Sequence, residues 1–129
     1  MESNPAVLVT HIQLQREAAD CGIAALSMLL GVSYEDVLRA TTLTDRSHGR
    51  KGLWTRTLQR IAKRLGYTLL VRRTFDLEQD YGLLRLPDHA AILRNGLVID
   101  TDATVWDADE YLAVRQVKQA NCQLLVVEE

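Results

Sequence analysis

The sequence predicts an α+β fold in which N-terminal helices pack on a C-terminal antiparallel sheet. Three observations carry that expectation. Apolar residues recur at helical spacing in two stretches before Gly66: Ile23, Leu26, Leu29 and Leu30, then Trp54, Leu58, Ile61, Ala62 and Leu65. After Gly66 the apolar residues fall into short runs, and Asn95-Gly96 between two of them is a strong two-residue hairpin signal. Helices come as one block and strands as another, which is the order of an α+β arrangement and not of a βαβ repeat. At 129 residues the chain has room for one core and reads as a single domain over residues 1–129.

The elements follow in order. Residues 6–12 read as a short extended stretch. Asp20 is placed to cap a helix from 21 to about 30, in which Gly22 is the one poor helix former; Gly31 ends it. Ser33 caps a second helix over 34–40, and Ser33-x-x-Asp36 has the spacing of a capping box. Residues 41–52 form a loop with two glycines and His48. A third helix covers 53–65, with Arg56, Arg60, Lys63 and Arg64 on its wet side; the last two suit the negative end of the helix dipole, and Gly66 stops it. Residues 67–72 read as a strand. Residues 76–84 are ambiguous, with room for a helical turn. Residues 89–93 and 97–101 are the hairpin strands, 107–113 a short helix and 123–128 a last strand.

Composition narrows the function classes. With 47% hydrophobic and 25% charged residues the chain is globular and not disordered. No apolar run approaches the roughly 18 residues of a membrane span, so no transmembrane segment is expected. The start, MESNPAVLVTHIQ, lacks the basic and apolar regions of a secretory signal, so a cytoplasmic protein, or one carried in a phage particle, is expected. Two cysteines and three histidines make no disulfide framework and little of a zinc site; no metal or cofactor is expected, although one Cys21–Cys122 bridge is possible on count.

The net charge of −2 conceals three blocks: residues 1–45 carry −4, residues 46–73 carry +9 with no acidic residue, and residues 74–129 carry −7. The basic block is either a docking face for an acidic or nucleic-acid partner or a solvated helix face balanced by the acidic thirds. Only Trp54 and Tyr67 stand among the charges, short of the interleaved aromatics a stacking surface would need, which favours the solvated face.

The chemistry is concentrated in Gln15-Arg16-Glu17-Ala18-Ala19-Asp20-Cys21-Gly22. A cysteine in the first turn of a helix meets free N–H groups and the positive dipole end, both of which stabilise a thiolate. Gly22 leaves space beside the sulfur, and Gln15 is a neutral amide donor able to face an oxyanion. The alternative is a buried structural cysteine. A thiolate nucleophile needs a base, and the base an orienter. His89 begins the first hairpin strand. With Asn95-Gly96 as a two-residue loop, His89 lies opposite Asp102 with Asp100 diagonal to it on the same face, so either aspartate is within reach. His11 and His48 read as solvated, Cys122 and Trp54 as packing residues, and Trp106 as packing or cleft-lining.

These residues resemble a known family. Gln15, Asp20-Cys21-Gly22 and the following Ala24, Leu26 and Met28 are similar to the start of the bacteriocin-processing, double-glycine-leader cysteine peptidases. Those papain-like domains usually stand at the N-terminus of peptide-exporting ABC transporters; here the domain reads as stand-alone. Gly52-Leu53 through Lys63-Arg64-Leu65-Gly66-Tyr67 resembles the family's glycine-then-helix segment. His89 with its aliphatic strand resembles the histidine strand, and Leu97-Val98-Ile99-Asp100 the strand that ends in the aspartate. Asp109-Glu110-Tyr111-Leu112 and Leu124 to Val127 resemble the closing helix and strand.

The resemblance implies a papain-like fold and a cysteine peptidase acting on a peptide or protein substrate. Cys21 would attack the carbonyl, and His89 would take the thiol proton and pass it to the leaving group. Asp100 would orient His89, and Gln15 with the Cys21 backbone N–H would hold the oxyanion. Two other readings of the same chain are a non-catalytic papain-like binding module (adaptor, inhibitor or virion component) using the basic face, and a thiol acyltransferase or deamidase.

Overall fold

The structure, a computed structural model, describes residues 21–42, 45 and 55–128. The expected 6–12 stretch, the Asp20 cap, His11, His48 and Trp54 lie outside the described residues.

Helix α1 (Cys21–Leu30) contains no charged side chain, and every residue from Cys21 to Leu29 is buried. It is therefore enclosed on all sides, where the sequence suggested one apolar face. Its single hydroxyl, on Ser27, donates to the Val32 carbonyl at 2.6 Å, so the burial leaves no stranded polar group. Gly31 ends it at φ 70°, where a side chain would be strained. Helix α2 (Tyr34–Arg39) follows, its Asp36 N–H bonded to the Ser33 hydroxyl at 3.0 Å as expected of a cap. The Asp36 carboxylate engages Arg39, one turn on.

Helix α3 (Thr55–Arg64) buries Leu58, Ile61 and Ala62 and leaves Arg56, Arg60, Lys63 and Arg64 on its exposed side. Gly66, at φ 94°, closes it: the Tyr67 N–H reaches the Ala62 carbonyl at 2.9 Å and the Gly66 N–H the Lys63 carbonyl at 3.0 Å, a Schellman stop. Arg64 ties α3 to the end of α2, donating to the Ala40 carbonyl at 2.8 Å and to the buried Asp45 carboxylate at 2.6 Å.

Six antiparallel strands follow: β1 (Leu69–Arg72), β2 (Tyr81–Leu86), β3 (His89–Arg94), β4 (Leu97–Ile99), β5 (Val105–Asp107) and β6 (Gln123–Val127), with helix α4 (Ala108–Arg115) between the last two. Their order in the sheet is β1-β6-β2-β3-β4-β5. The hairpin has the expected register, Arg94 opposite Leu97 and Leu93 opposite Val98, and both turn residues have positive φ, 46° at Asn95 and 82° at Gly96. Alternation along the strands divides the core. Leu83, Ala90, Ile92, Ile99 and Leu125 face α1, α2 and α3. Leu84, Leu86, Ala91, Leu93, Val98 and Leu124 face Phe75, Leu77 and the Tyr111 side of α4. Helices packed on an antiparallel sheet are the predicted α+β class.

Two strands depart from the sequence reading. The ambiguous 76–84 stretch holds β2, which pairs with β3 on one side and β6 on the other. Gly82 lowers its strand signal, but packing requires glycine there: an added Cβ would lie 2.6 Å from the Leu125 carbonyl oxygen. β5 is a three-residue edge strand, too short to give an alternation pattern, and is held by pairing with β4. β4 stops at Ile99 because Asp100 begins a turn, its carbonyl accepting from the Ala103 N–H at 3.1 Å.

Candidate active site

Cys21 is the first residue of α1 and is 3% exposed. His89 is the first residue of β3, opposite Leu86 at the closing pair of the β2–β3 hairpin. Asp100 is the first residue beyond β4. Three element ends thus converge at one end of the sheet: the histidine is hydrogen-bonded to Asp100, and the Cys21 side chain is near enough to favour its charged form. Its Nε2 lies 2.6 Å from Asp100 Oδ1, which leaves Nδ1 as the ring nitrogen for the sulfur.

Asp100 is 3% exposed and richly held. The Thr101 N–H donates to Oδ1 at 2.7 Å; the Tyr111 hydroxyl and Arg115 Nη2 donate to Oδ2 at 2.9 and 3.2 Å. The Arg115 guanidinium also stacks over the Tyr111 ring, 4.8 Å from its centre, so α4 presents the two donors as a unit. Burial by itself raises the Asp100 carboxyl. The bond to His89, the His89 charge and the donors from Thr101 and Tyr111 outweigh it and hold the carboxyl at about 2. For His89 burial by itself lowers the imidazole. The hydrogen bonds to Asp100 and Cys21 and the charges of both outweigh it and raise the ring to about 9. The Tyr111 phenol is pushed well above its usual range by burial and by the adjacent carboxylate, so it stays a donor at any working pH.

The two aspartates within reach of His89 in the hairpin register are separated by the turn at the end of β4. Asp102 is exposed and accepts from the Thr104 N–H at 3.0 Å and from the Thr104 hydroxyl, which in turn accepts from Trp106 Nε1 at 2.8 Å. It shapes the loop, and Asp100 meets the imidazole. Trp106 is half-buried and packs edge-on against Tyr111, with ring centres 6.1 Å apart. Gln15 lies outside the described residues. Cys122 is buried, its thiol pushed up by that burial and directed to the Lys118 carbonyl at 3.7 Å; both cysteines are free.

Sequence reasoning missed the groups that hold the site. Tyr111 and Arg115 act through contacts that form only when α4 folds back on the end of β4, and Thr101 through its backbone N–H in the turn after β4; no local pattern marks them. Arg85 had a signal: it is the single charge in the run Gly82-Leu83-Leu84-Arg85-Leu86. Its Nη1 donates to the carbonyls of Leu86 and, at 3.1 Å, of His89, bracing the turn that carries the histidine. Burial lowers the Arg85 guanidinium, while the charges of Cys21 and Asp88 favour its protonated form. Among the described residues no group of three or more His, Cys, Asp or Glu side chains comes together to hold a metal ion. None of the described helices is long and apolar enough to cross a membrane.

A cysteine at a helix start facing a strand-borne histidine and aspartate, on helices packed against an antiparallel sheet, defines the class as papain-like. The sequence pattern of the peptidase C39 family matches residues 10–85, a span that includes Cys21 and stops short of His89, and the chain belongs to that family. No curated protein sequence matches it. Among solved structures it resembles the peptidase domain of Streptococcus ComA, a bi-functional ABC transporter involved in a quorum-sensing pathway. That likeness has 15% identity, 92% of this chain and 100% of that one covered, and a TM-score of 0.63. A double glycine motif protease from an AMS/PCAT transporter, in complex with its leader peptide, is similar at 16% identity, 92% and 91% coverage and a TM-score of 0.59. The peptidase domain of Streptococcus mutans ComA is similar at 16% identity, 89% and 98% coverage and a TM-score of 0.56.

Proposed function

We propose that this chain is a cysteine peptidase that cleaves a peptide bond with Cys21 as nucleophile and His89 as general acid and base. Asp100 orients the imidazole and stabilises its charged form. The observation that carries the reading is the 2.6 Å contact of His89 Nε2 with the buried Asp100 carboxylate, in a ring whose charged form the Cys21 side chain also favours. Cys21 transfers its proton to His89 and attacks the carbonyl carbon; the backbone N–H of Cys21 at the start of α1, with the Gln15 side chain, holds the oxyanion. Imidazolium then protonates the leaving amine, and water attacks the thioester with His89 as base. Arg115 and Tyr111 keep Asp100 ionised and fixed, so the ring keeps one tautomer through both half-reactions.

The first test is iodoacetamide alkylation as a function of pH, located by peptide mass spectrometry. Cys21 should react far faster than Cys122, and the rate should fall in His89→Ala. A Cys21 no more reactive than Cys122 overturns the assignment. The substrate search begins with a double-glycine leader peptide, the class of ligand in the AMS/PCAT protease complex. Cys21→Ala should abolish cleavage while leaving the chain folded, and Gln15→Ala should cost about a hundredfold or more in kcat.

A further inference from the structure

A set of adjoining basic cavities begins at Arg85, the residue that braces the His89 carbonyl. On the α1 face of the sheet, Arg85 and Gln123 sit side by side on β2 and β6, and the Thr55 hydroxyl at the start of α3 donates to Gln123 Oε1 at 2.7 Å. Between them and Arg73 lies a cavity of about 450 Å³. Thr55, Arg73 and Gln123 also line a second cavity of about 580 Å³, and Arg56 and Gln59 of that one line a third of about 480 Å³ that ends at Lys63 and Leu69. The three adjoin one another through these shared residues. The inner end of the set is Arg85, which braces the His89 carbonyl and feels the Cys21 charge. Among the described residues its walls carry Arg85, Arg73, Arg56, Arg60 and Lys63 and no acidic residue.

The charges differ in commitment. Arg60 and Arg64 are drawn to Asp45. Arg56 and Arg73 are exposed and make no ion pair among the described residues, and Arg85 Nε is buried there without a hydrogen-bond partner. Arg56 and Arg73, with no ion pair among the described residues, repel each other and their cationic neighbours, so an anionic ligand gains from them. The cavities also follow β1, an edge of the described sheet whose outer backbone groups face no other described strand. Edge backbone suits an extended peptide. Among the described residues no aromatic side chain lines the walls as a platform for stacked bases.

We propose that these cavities form a subsite for an acidic stretch of the peptide substrate, seating carboxylates on Arg56, Arg73 and Arg85 so that the neighbouring peptide bond reaches Cys21. The assignment rests on the peptidase reading for its substrate, and the test separates the two. Binding is read in the uncleaving Cys21→Ala chain by fluorescence anisotropy, with labelled hexaglutamate and hexaglutamine as probes. Hexaglutamate should bind more tightly, and less so as salt rises. Adding Arg56→Glu and Arg73→Glu together should weaken it by about tenfold or more. Arg72→Glu, the same charge change one residue away on the opposite face of β1, should leave it within about twofold; circular dichroism confirms that each variant is folded. Equal binding of the two peptides, or an equal loss from Arg72→Glu, overturns the subsite. So does tighter binding of a single-stranded oligodeoxynucleotide through the same arginines. An unreactive Cys21 in the alkylation assay removes the peptidase reading alone, because hexaglutamate binding does not depend on the thiol.

Discussion

Replacing Asp100 by Asn tests the electrostatic heart of the site. The substitution keeps the shape and an acceptor oxygen but removes the charge that faces His89 at 2.6 Å. The rise of the imidazole from 6.5 to about 9 is worth about 3 kcal/mol in favour of imidazolium. Burial opposes that rise, so without the carboxylate the ring should fall back toward 6.5, the Cys21 contact alone resisting the fall. At a pH of about 8, a group titrating at about 9 is roughly nine-tenths protonated, and one titrating at 6.5 is about 3% protonated. The imidazolium available to the thiolate and the leaving group therefore falls by up to about 30-fold at that pH. The assay is the alkaline limb of Cys21 alkylation, with the His89 titration followed by NMR: the limb should lie near 9 in the parent and at least about one unit lower in Asp100→Asn. A limb still near 9 in the variant would refute the reasoning and place the source of the shift elsewhere.

Stability should follow the same two groups. Asp100 is lowered from 3.8 to about 2, so its contribution is complete above 3.8 and is lost as pH falls toward 2. His89 is raised, so its contribution is complete below 6.5 and is lost as pH rises through about 9. Urea midpoints should therefore peak between those limits, and Asp100→Asn should flatten both slopes. Tyr111→Phe removes one buried donor to Asp100 Oδ2 and should cost about 1 kcal/mol in urea unfolding, with a small downward shift of the alkaline limb only if the ring loses its fixed carboxylate. Gly82→Ala should destabilise by about 1–3 kcal/mol in the same assay, because the new methyl meets the Leu125 backbone carbonyl as well as the Leu124 side chain.

Much of the fold can be read from local signals. Helix α1 runs from 21 to 30 as its spacing and Gly31 predict, Gly66 stops α3, and Asn95-Gly96 sets the hairpin register to the residue. Each of these is a backbone property of a few adjacent residues, encoded where it acts. The same local logic singled out Cys21 at a helix start and His89 at a strand start. What depends on distant segments was hidden. β2 is a strand because β3 and β6 flank it, and its glycine is explained only by the Leu125 carbonyl above it.

The choice between Asp100 and Asp102 is of this second kind. Both stand on the right side of an ideal hairpin, and sequence periodicity treats them alike. The turn after Ile99 sends Asp102 to Thr104, while Tyr111 and Arg115 of α4 gather on Asp100 and hold it against His89. Likewise the +9 block is legible as composition, but only folding brings Arg56 and Lys63 to cavities that adjoin those of Arg73 and Arg85, far apart in the chain. Helix starts, stops and turn types are decided by residues within a few positions of one another, whereas the partner of a buried carboxylate or the path of a charged groove is decided by which segments the sheet and helices bring within a few ångströms.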